Sequence, residues 1–174
     1  RINPNAVNIP NGFSDVFLPL DKERCRERLG IGDGKVLLSL GSLKERKGFQ
    51  YMIEALSGMD ADDLLYIVAG RGPMEDELKR KAASLGLEDK VRIAGFVPMS
   101  EIPLLMNACD LYVLPSLSES FGISQIEAMA CGKPVVATRN GGSEEIIVSE
   151  DYGFLCEPAD PEDRDRDSAD AVGD

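Results

Sequence analysis

Leu114 to Thr138, LPSLSESFGISQIEAMACGKPVVAT, reads as strand, turn, helix and strand. Glu119 falls in the turn beside Phe121 and Gly122, and Glu127 lies eight positions further on, in the helical part. A loop carboxylate and a helix carboxylate therefore flank one helix N-terminus. Such an end presents unpaired N–H groups and the positive pole of the helix dipole. It is a place to hold a polar, partly anionic ligand. Gly132 stops the helix, and the apolar run from Val135 to Thr138 starts the next strand.

Working outward, the same unit recurs. Val36 to Leu40 is a short continuous apolar run closed by Gly41, the mark of a strand buried on both faces. Phe49, Met52, Ile53 and Leu56 then repeat at helical spacing. Leu64 to Ala69 is a strand ending at Gly70-Arg71-Gly72-Pro73, and the next helix turns Leu78, Ala82 and Leu85 inward and stops at Gly86. Glu75-Lys79, Asp76-Arg80 and Glu77-Lys81 are favourable i,i+4 pairs on that helix. Val91 to Ala94 is a strand; Ser100 is placed to cap a helix with Ile102, Leu105, Met106 and Cys109 inward; Leu111 to Leu114 follows as a strand. The helix from about Ser120 to Cys131 is expected to bury Ile123, Ile126 and Ala130. Ser143 is placed to cap a short helix opened by Glu144 and Glu145, and Gly153 to Cys156 is a candidate sixth strand. Upstream, residues 1–34 carry several prolines and glycines, a short apolar run from Val7 to Ile9, and a helix from Lys22 to Leu29.

Strict alternation with short connections predicts right-handed βαβ units, hence an α/β domain with a doubly wound parallel sheet. Ligands of such sheets bind beyond the carboxyl ends of the strands. Here those ends are Gly41-Ser42 with Lys44, Arg46 and Lys47; Gly70 to Gly72; Gly95-Phe96; Pro115 to Gly122; and Arg139 to Gly142.

Bulk properties narrow the chemistry. The chain has 174 residues and a net charge of −12, which argues against nucleic acid as a partner. Half of that excess lies from Glu157 onward, where an acidic tail has little to bury and is expected to be solvated. There is no histidine, which removes Ser-His and Cys-His nucleophile pairs, and the four cysteines are too scattered for a zinc or disulfide framework. Cys109 and Cys131 read as small buried hydrophobes. With no apolar run of membrane-spanning length and no basic-then-apolar leader pattern, a cytoplasmic location is expected.

Each motif has a plainer explanation. Gly70-Arg71-Gly72 invites a dinucleotide reading, but Glu75 stands where the fingerprint needs a third glycine, so a tight strand-to-helix turn is the better account. Asp60-Ala61-Asp62 has the form of a metal-holding Asp-x-Asp, yet it precedes a strand, at the opposite edge of the sheet, and reads as a solvated loop. Eight residues along a helix is about 12 Å. That exceeds the roughly 5–9.5 Å between the carboxylates of glycosidases, so Glu119 and Glu127 look like two contacts to one extended ligand, or like unrelated surface carboxylates. Lys44, Arg46 and Lys47 are either a solvated loop or a phosphate-neutralising cluster acting with the helix N-terminus.

Taken together, Pro10-Asn11-Gly12, Gly41-Ser42-Leu43 with Lys47-Gly48, Gly70 to Pro73, Gly95-Phe96-Val97, Pro115 to Gly122 with Glu127-Ala128, Gly132 to Ala137, and Gly141-Gly142 with Glu145 resemble a known pattern. It is the donor-binding half of the retaining glycosyltransferases of family four, which have the GT-B architecture of two facing Rossmann-like domains. The resemblance covers about residues 7 to 160. It implies that Glu119, the candidate catalytic residue, contacts hydroxyls of the donor sugar. It also implies that backbone N–H groups around Phe121, Gly122 and Ile123 meet sugar and phosphate, that Glu127 accepts from the ribose hydroxyls, that Lys47 pairs with the diphosphate, and that Phe96-Val97 edges the base. Gly41, Ser42 and Arg46 complete the candidate donor-binding set. The implied reaction is transfer of a hexose from a nucleotide diphosphate sugar with retained configuration and no obligatory metal. Ser42 departs from the family, which often has arginine there; Arg46 and Lys44 are the candidates to replace it.

On this reading residues 1–34 are a lead-in and hinge segment, 35–160 a nucleotide-sugar-binding domain and 161–174 an acidic tail without fixed structure. The resemblance further implies an acceptor-binding N-terminal domain and closing C-terminal helices as partners of this segment; any membrane association would come through them. A segment alone should bind donor but transfer little. A non-catalytic nucleotide-binding module and, less well supported, a dinucleotide-dependent oxidoreductase domain stay open as other classes.

Overall fold

The computed structural model describes residues 11–59 and 63–159. Asp60-Ala61-Asp62, the run from Val7 to Ile9 and the tail from 161 lie outside the described residues. The elements alternate as expected: α1 (Lys22–Leu29), β1 (Lys35–Leu40), α2 (Phe49–Ser57), β2 (Leu64–Ala69), α3 (Glu75–Ser84), β3 (Val91–Gly95), α4 (Ile102–Ala108), β4 (Leu111–Leu114), α5 (Ile123–Ala130), β5 (Val135–Thr138) and β6 (Phe154–Cys156). The strands form one sheet in the order β3-β2-β1-β4-β5-β6, with every neighbouring pair parallel. The chain winds outward from β1 to β3, then crosses back through α4 to lay β4 against the other side of β1. The loops after β1 and β4 consequently part in opposite directions, which opens a crevice at the carboxyl edge.

Alternation along each strand divides the core between the two faces of the sheet. Val36 and Leu38 of β1, Tyr112 and Leu114 of β4 and Val135 and Ala137 of β5 pack with Cys25 of α1, Leu105 and Met106 of α4 and Ala128 of α5. Leu37, Tyr66, Val68 and Val113 face the other way, onto Phe49, Ile53 and Leu56 of α2 and Leu78 and Ala82 of α3. Cys109 and Cys131 are buried among apolar side chains as expected. Phe17 and Ile31, on either side of α1, belong to the first of these cores.

A buried ion pair ties α1 to the amino-terminal edge of the sheet. Arg26, only 5% exposed, donates from Nε to the carbonyl of Ala108 (2.9 Å), from Nη1 to that of Gly34 (3.0 Å) and from Nη2 to Asp110 Oδ2 (2.7 Å). Asp110 also accepts from the Val36 N–H at 2.8 Å and from Lys22 at 3.1 Å. Burial pushes the Asp110 carboxyl up, but these donors outweigh it and hold the group below its ordinary value.

Several local expectations need correction. In α5 the buried residues are Gln125 and Ala128, while Ile123 is 42% exposed and Ile126 and Ala130 are half-buried. The helix starts only at Ile123, after Gly122 in the left-handed region at φ 83°, and it turns Gln125 and Ala128 inward. Leu85 is exposed, because α3 ends before it. Neither Ser100 nor Ser143 caps a helix: α4 starts after Glu101 without a side-chain cap, and Ser143 lies inside its own helical turn. The amides there are met instead by Asn140 Oδ1, which accepts from Gly142 and Ser143 at 3.2 and 2.9 Å. Of the i,i+4 pairs, Glu75-Lys79 forms at 2.7 Å, whereas Lys81 reaches across to Glu54 of α2.

Candidate functional site

Three loops meet at the carboxyl edge of the sheet, and their backbones are laced together. Leu117 donates its N–H to the carbonyl of Arg46, in the loop after β1, at 2.8 Å. Glu119 donates its N–H to the carbonyl of Asn140, in the loop after β5, at 3.0 Å. Two glycines permit this closeness. A Cβ on Gly48 (φ 69°) would stand 1.8 Å from the carbonyl oxygen of Pro115, and one on Gly142 would stand 2.6 Å from the nitrogen of Phe121. Buried polar side chains complete the scaffold: Thr138 donates to the carbonyl of Ser116, Asn140 Nδ2 donates to Thr138 Oγ1 at 3.4 Å, and Gln125 Nε2 donates to the carbonyl of Phe121 at 3.0 Å.

The side chains singled out in the sequence converge here in two groups. Lys47, at the end of a single helical turn over Glu45–Lys47, directs its ammonium to Glu119 Oε1, which also accepts from Ser116 Oγ at 2.9 Å. Both members of this ion pair are largely buried, at 13% and 9% side-chain exposure. Arg46 lies 4.0 Å from Glu119 Oε2 and donates to the carbonyl of Ser118 at 3.0 Å. Gly41, Ser42, Phe96 and Val97 form the second group, lining a pocket of about 200 Å³ together with Gly70 and Arg71. Phe96 is exposed, with the Arg71 guanidinium 5.1 Å from its ring centre. Gly70 and Gly72 let this turn nestle against the loop after β1: Cβ atoms there would stand 1.7 and 2.3 Å from the carbonyls of Gly41 and Leu43. That is the tight-turn role expected of them.

Glu127 joins neither group by a direct bond. It is half-buried on α5, and among the described residues nothing donates a hydrogen bond or an ionic contact to its carboxylate. Burial alone raises its pKa. The fully buried Tyr112 connects it to the rest: its hydroxyl lies by the backbone of Leu40. Its pKa is raised by burial first, lowered by a hydrogen bond to the side chain of Ser124, and raised again by the charges of Glu127 and Glu119. Phe121 and Gly122 form the turn between the two carboxylates, and exposed Ile123 opens the helix beyond it.

The sequence reading missed three members of this site. Ser116 and Asn140 hold Glu119 by side chain and backbone respectively, and the buried Tyr112 hydroxyl feels the charges of both carboxylates. Ser116 and Asn140 lie in strand-end stretches and could have been marked by that position, whereas Tyr112 lies within β4 and carries no such signal. A larger hollow of about 440 Å³ lies at the start of β5 and β6, around Met129, Lys133, Pro134, Tyr152 and Phe154. It is at the amino-terminal edge, away from the helix N-termini that favour anionic ligands. No helix among the described residues is long and apolar enough to cross a membrane.

Comparison with known proteins points the same way. The family described as glycosyl transferases group 1 matches residues 21–172. Mannosylfructose-phosphate synthase of Agrobacterium fabrum is 36% identical over 169 residues, which span 89% of this chain and 37% of that protein. Among solved structures, Anabaena HepE in complex with UDP and glucose superposes with a TM-score of 0.78 at 34% identity, covering 86% of this chain and 42% of its own. The C-terminal domain of LpcC, a glycosyl transferase group 1 family protein from Francisella tularensis, gives a TM-score of 0.73 at 32% identity and covers 82% of this chain and 78% of that domain. The chain spans 36–45% of the length of the curated relatives it matches.

Proposed function

We infer, since the chain belongs to the group 1 glycosyl transferases, that it is the donor-binding half of a retaining enzyme that moves a hexose from a nucleotide diphosphate sugar to an acceptor. The observation that carries this reading is the gathering of Lys47, Glu119 and Glu127 around the β1–β4 crevice, with the half-buried Glu127 carboxylate unpartnered among the described residues. In it, Glu127 accepts from the ribose hydroxyls. Lys47 and Arg46, with the amides at Phe121, Gly122 and Ile123, meet the diphosphate, and Glu119 accepts from hydroxyls of the sugar. The pocket of Gly41, Ser42, Phe96 and Val97 edges the base. Existing complexes of HepE with UDP and with UDP-glucose support this class of ligand.

Chemically, such a site works by stabilising negative charge on the departing diphosphate. Two cations and a helix N-terminus supply that stabilisation without an obligatory metal. Acceptor binding and the remainder of the catalytic machinery would come from a facing N-terminal domain, so the present chain alone binds donor and transfers little. We place it in the cytoplasm, with any membrane association arising through that other half.

Calorimetric titration of the chain with UDP, GDP and ADP, with UDP-glucose, GDP-mannose and ADP-glucose, and with NAD(H), each with and without magnesium, tests the reading. Binding of one nucleotide and its sugar, and not of NAD(H), is expected. A folded sample that binds no nucleotide sugar at millimolar concentration would overturn it.

A further inference from the structure

We propose that Glu119 makes this site select the sugar-bearing donor over the bare nucleoside diphosphate, by keeping Lys47 engaged until a diphosphate and a set of hydroxyls arrive together. This rests on the donor-binding reading above. The ammonium that would neutralise the diphosphate is held by the carboxylate that would grip the sugar. Glu119 Oε1 has two donors, Lys47 and Ser116, while among the described residues Oε2 faces only the exposed Arg46 at 4.0 Å. Neither member of the Lys47–Glu119 pair can simply swing into water, since both are largely buried and the backbone of Glu119 is fixed by Asn140.

A diphosphate that draws Lys47 toward itself therefore leaves Glu119 as a buried carboxylate short of a donor, which is unfavourable. The two ligands differ in how they respond. A hexose attached to the diphosphate brings hydroxyl donors to replace the lost ammonium contact. The bare nucleoside diphosphate brings none, and its terminal phosphate takes on a further negative charge above pH of about 6. Glu119 thus meets repulsion where it would otherwise meet hydrogen bonds. The same carboxylate that orients the sugar also weakens retention of the spent nucleotide.

Glu119→Gln tests this directly, because it keeps the shape and the acceptor for Ser116 but releases Lys47. Using whichever of UDP, GDP or ADP the unmodified chain binds, together with its sugar, the variant is expected to bind the bare diphosphate about tenfold more tightly. It should gain nothing with the nucleotide sugar. In a Lys47→Gln background the gain should vanish. As pH falls through about 6 the bare diphosphate loses attraction to Lys47 and Arg46 in both proteins but is relieved of the Glu119 charge only in the unmodified chain, so the preference for the sugar-bearing ligand should rise more in Glu119→Gln than in the unmodified chain. Unchanged or weaker diphosphate binding by Glu119→Gln overturns the inference, as does a gain that persists without Lys47. If circular dichroism shows Glu119→Gln unfolded, Glu119→Asp, which shortens the reach to Lys47, decides by the same readout. An unmodified chain that binds none of the probes removes the donor reading itself; one that binds them while Glu119→Gln tightens nothing removes only the inference.

Discussion

Asp110 and Glu119 are carboxylates at opposite edges of the same sheet, each beside β1 and each paired with a buried or nearly buried cation. Asp110 is saturated: Arg26, Lys22 and the Val36 amide all donate to it, and its ionised form is favoured as a result. At the other edge Glu119 has one well-supplied oxygen and one facing an exposed arginine, and Glu127 has no donor among the described residues. The first cluster has every polar group answered from within the chain, so it closes the fold. The second leaves acceptors and half-neutralised cations at a crevice, an arrangement that costs stability unless something else answers them. Unfinished hydrogen bonding, more than charge, separates a ligand edge from a structural one here.

Arg26→Ala should break the comparison most severely, since it takes the guanidinium from Asp110 and from the carbonyls of Ala108 and Gly34 at once; a loss of about 3 kcal/mol is expected in urea unfolding. The folded fraction should keep its nucleotide affinity. Lys47→Ala should do the reverse, lowering nucleoside diphosphate affinity about a hundredfold in calorimetry, with a smaller loss of stability from leaving Glu119 unpaired. Glu127→Gln is expected to weaken nucleotide and nucleotide sugar alike, by about tenfold. It should also raise the melting temperature slightly at neutral pH, because an unanswered, half-buried charge is removed.

The smallest effect is a difference in pH dependence. Asp110 titrates below its ordinary 3.8, so its contribution is present above that value and disappears as pH falls through the depressed folded value. Glu127 titrates above its ordinary 4.5, so the folded chain binds the extra proton and loses stability as pH rises from 4.5 through the raised value. Thermal unfolding across this range should show the second slope in the unmodified chain and not in Glu127→Gln.

Much of the fold could be read from the sequence because the strands are buried on both faces. Val36 to Leu40 and Leu64 to Ala69 are continuous apolar runs that no surface element imitates. The helix from Lys22 to Leu29 was legible from the glycine that stops it, Gly30, which is left-handed; its N-terminal cap, Asp21 accepting the amide of Arg24, appears only in the structure. Register within α5 was not, because Gln125 is buried for its hydrogen bond to Phe121 while apolar Ile123 faces outward at the ligand edge. For the site, strand-end placement was enough to gather Glu119, Lys47 and the glycines. Their pairing with one another was not visible, nor was the Arg26–Asp110 pair. Residues so far apart in the chain leave no periodic trace, and only the folded sheet brings them together.

Because Leu117 and Glu119 donate their amides sideways to Arg46 and Asn140, the hydrogen-bond pattern of the sheet continues past its last residues. Their amide hydrogens should exchange with solvent on the slow schedule of the central strands rather than that of loops. The candidate ligand edge is then ordered during folding, and little conformational entropy would remain to be lost on binding.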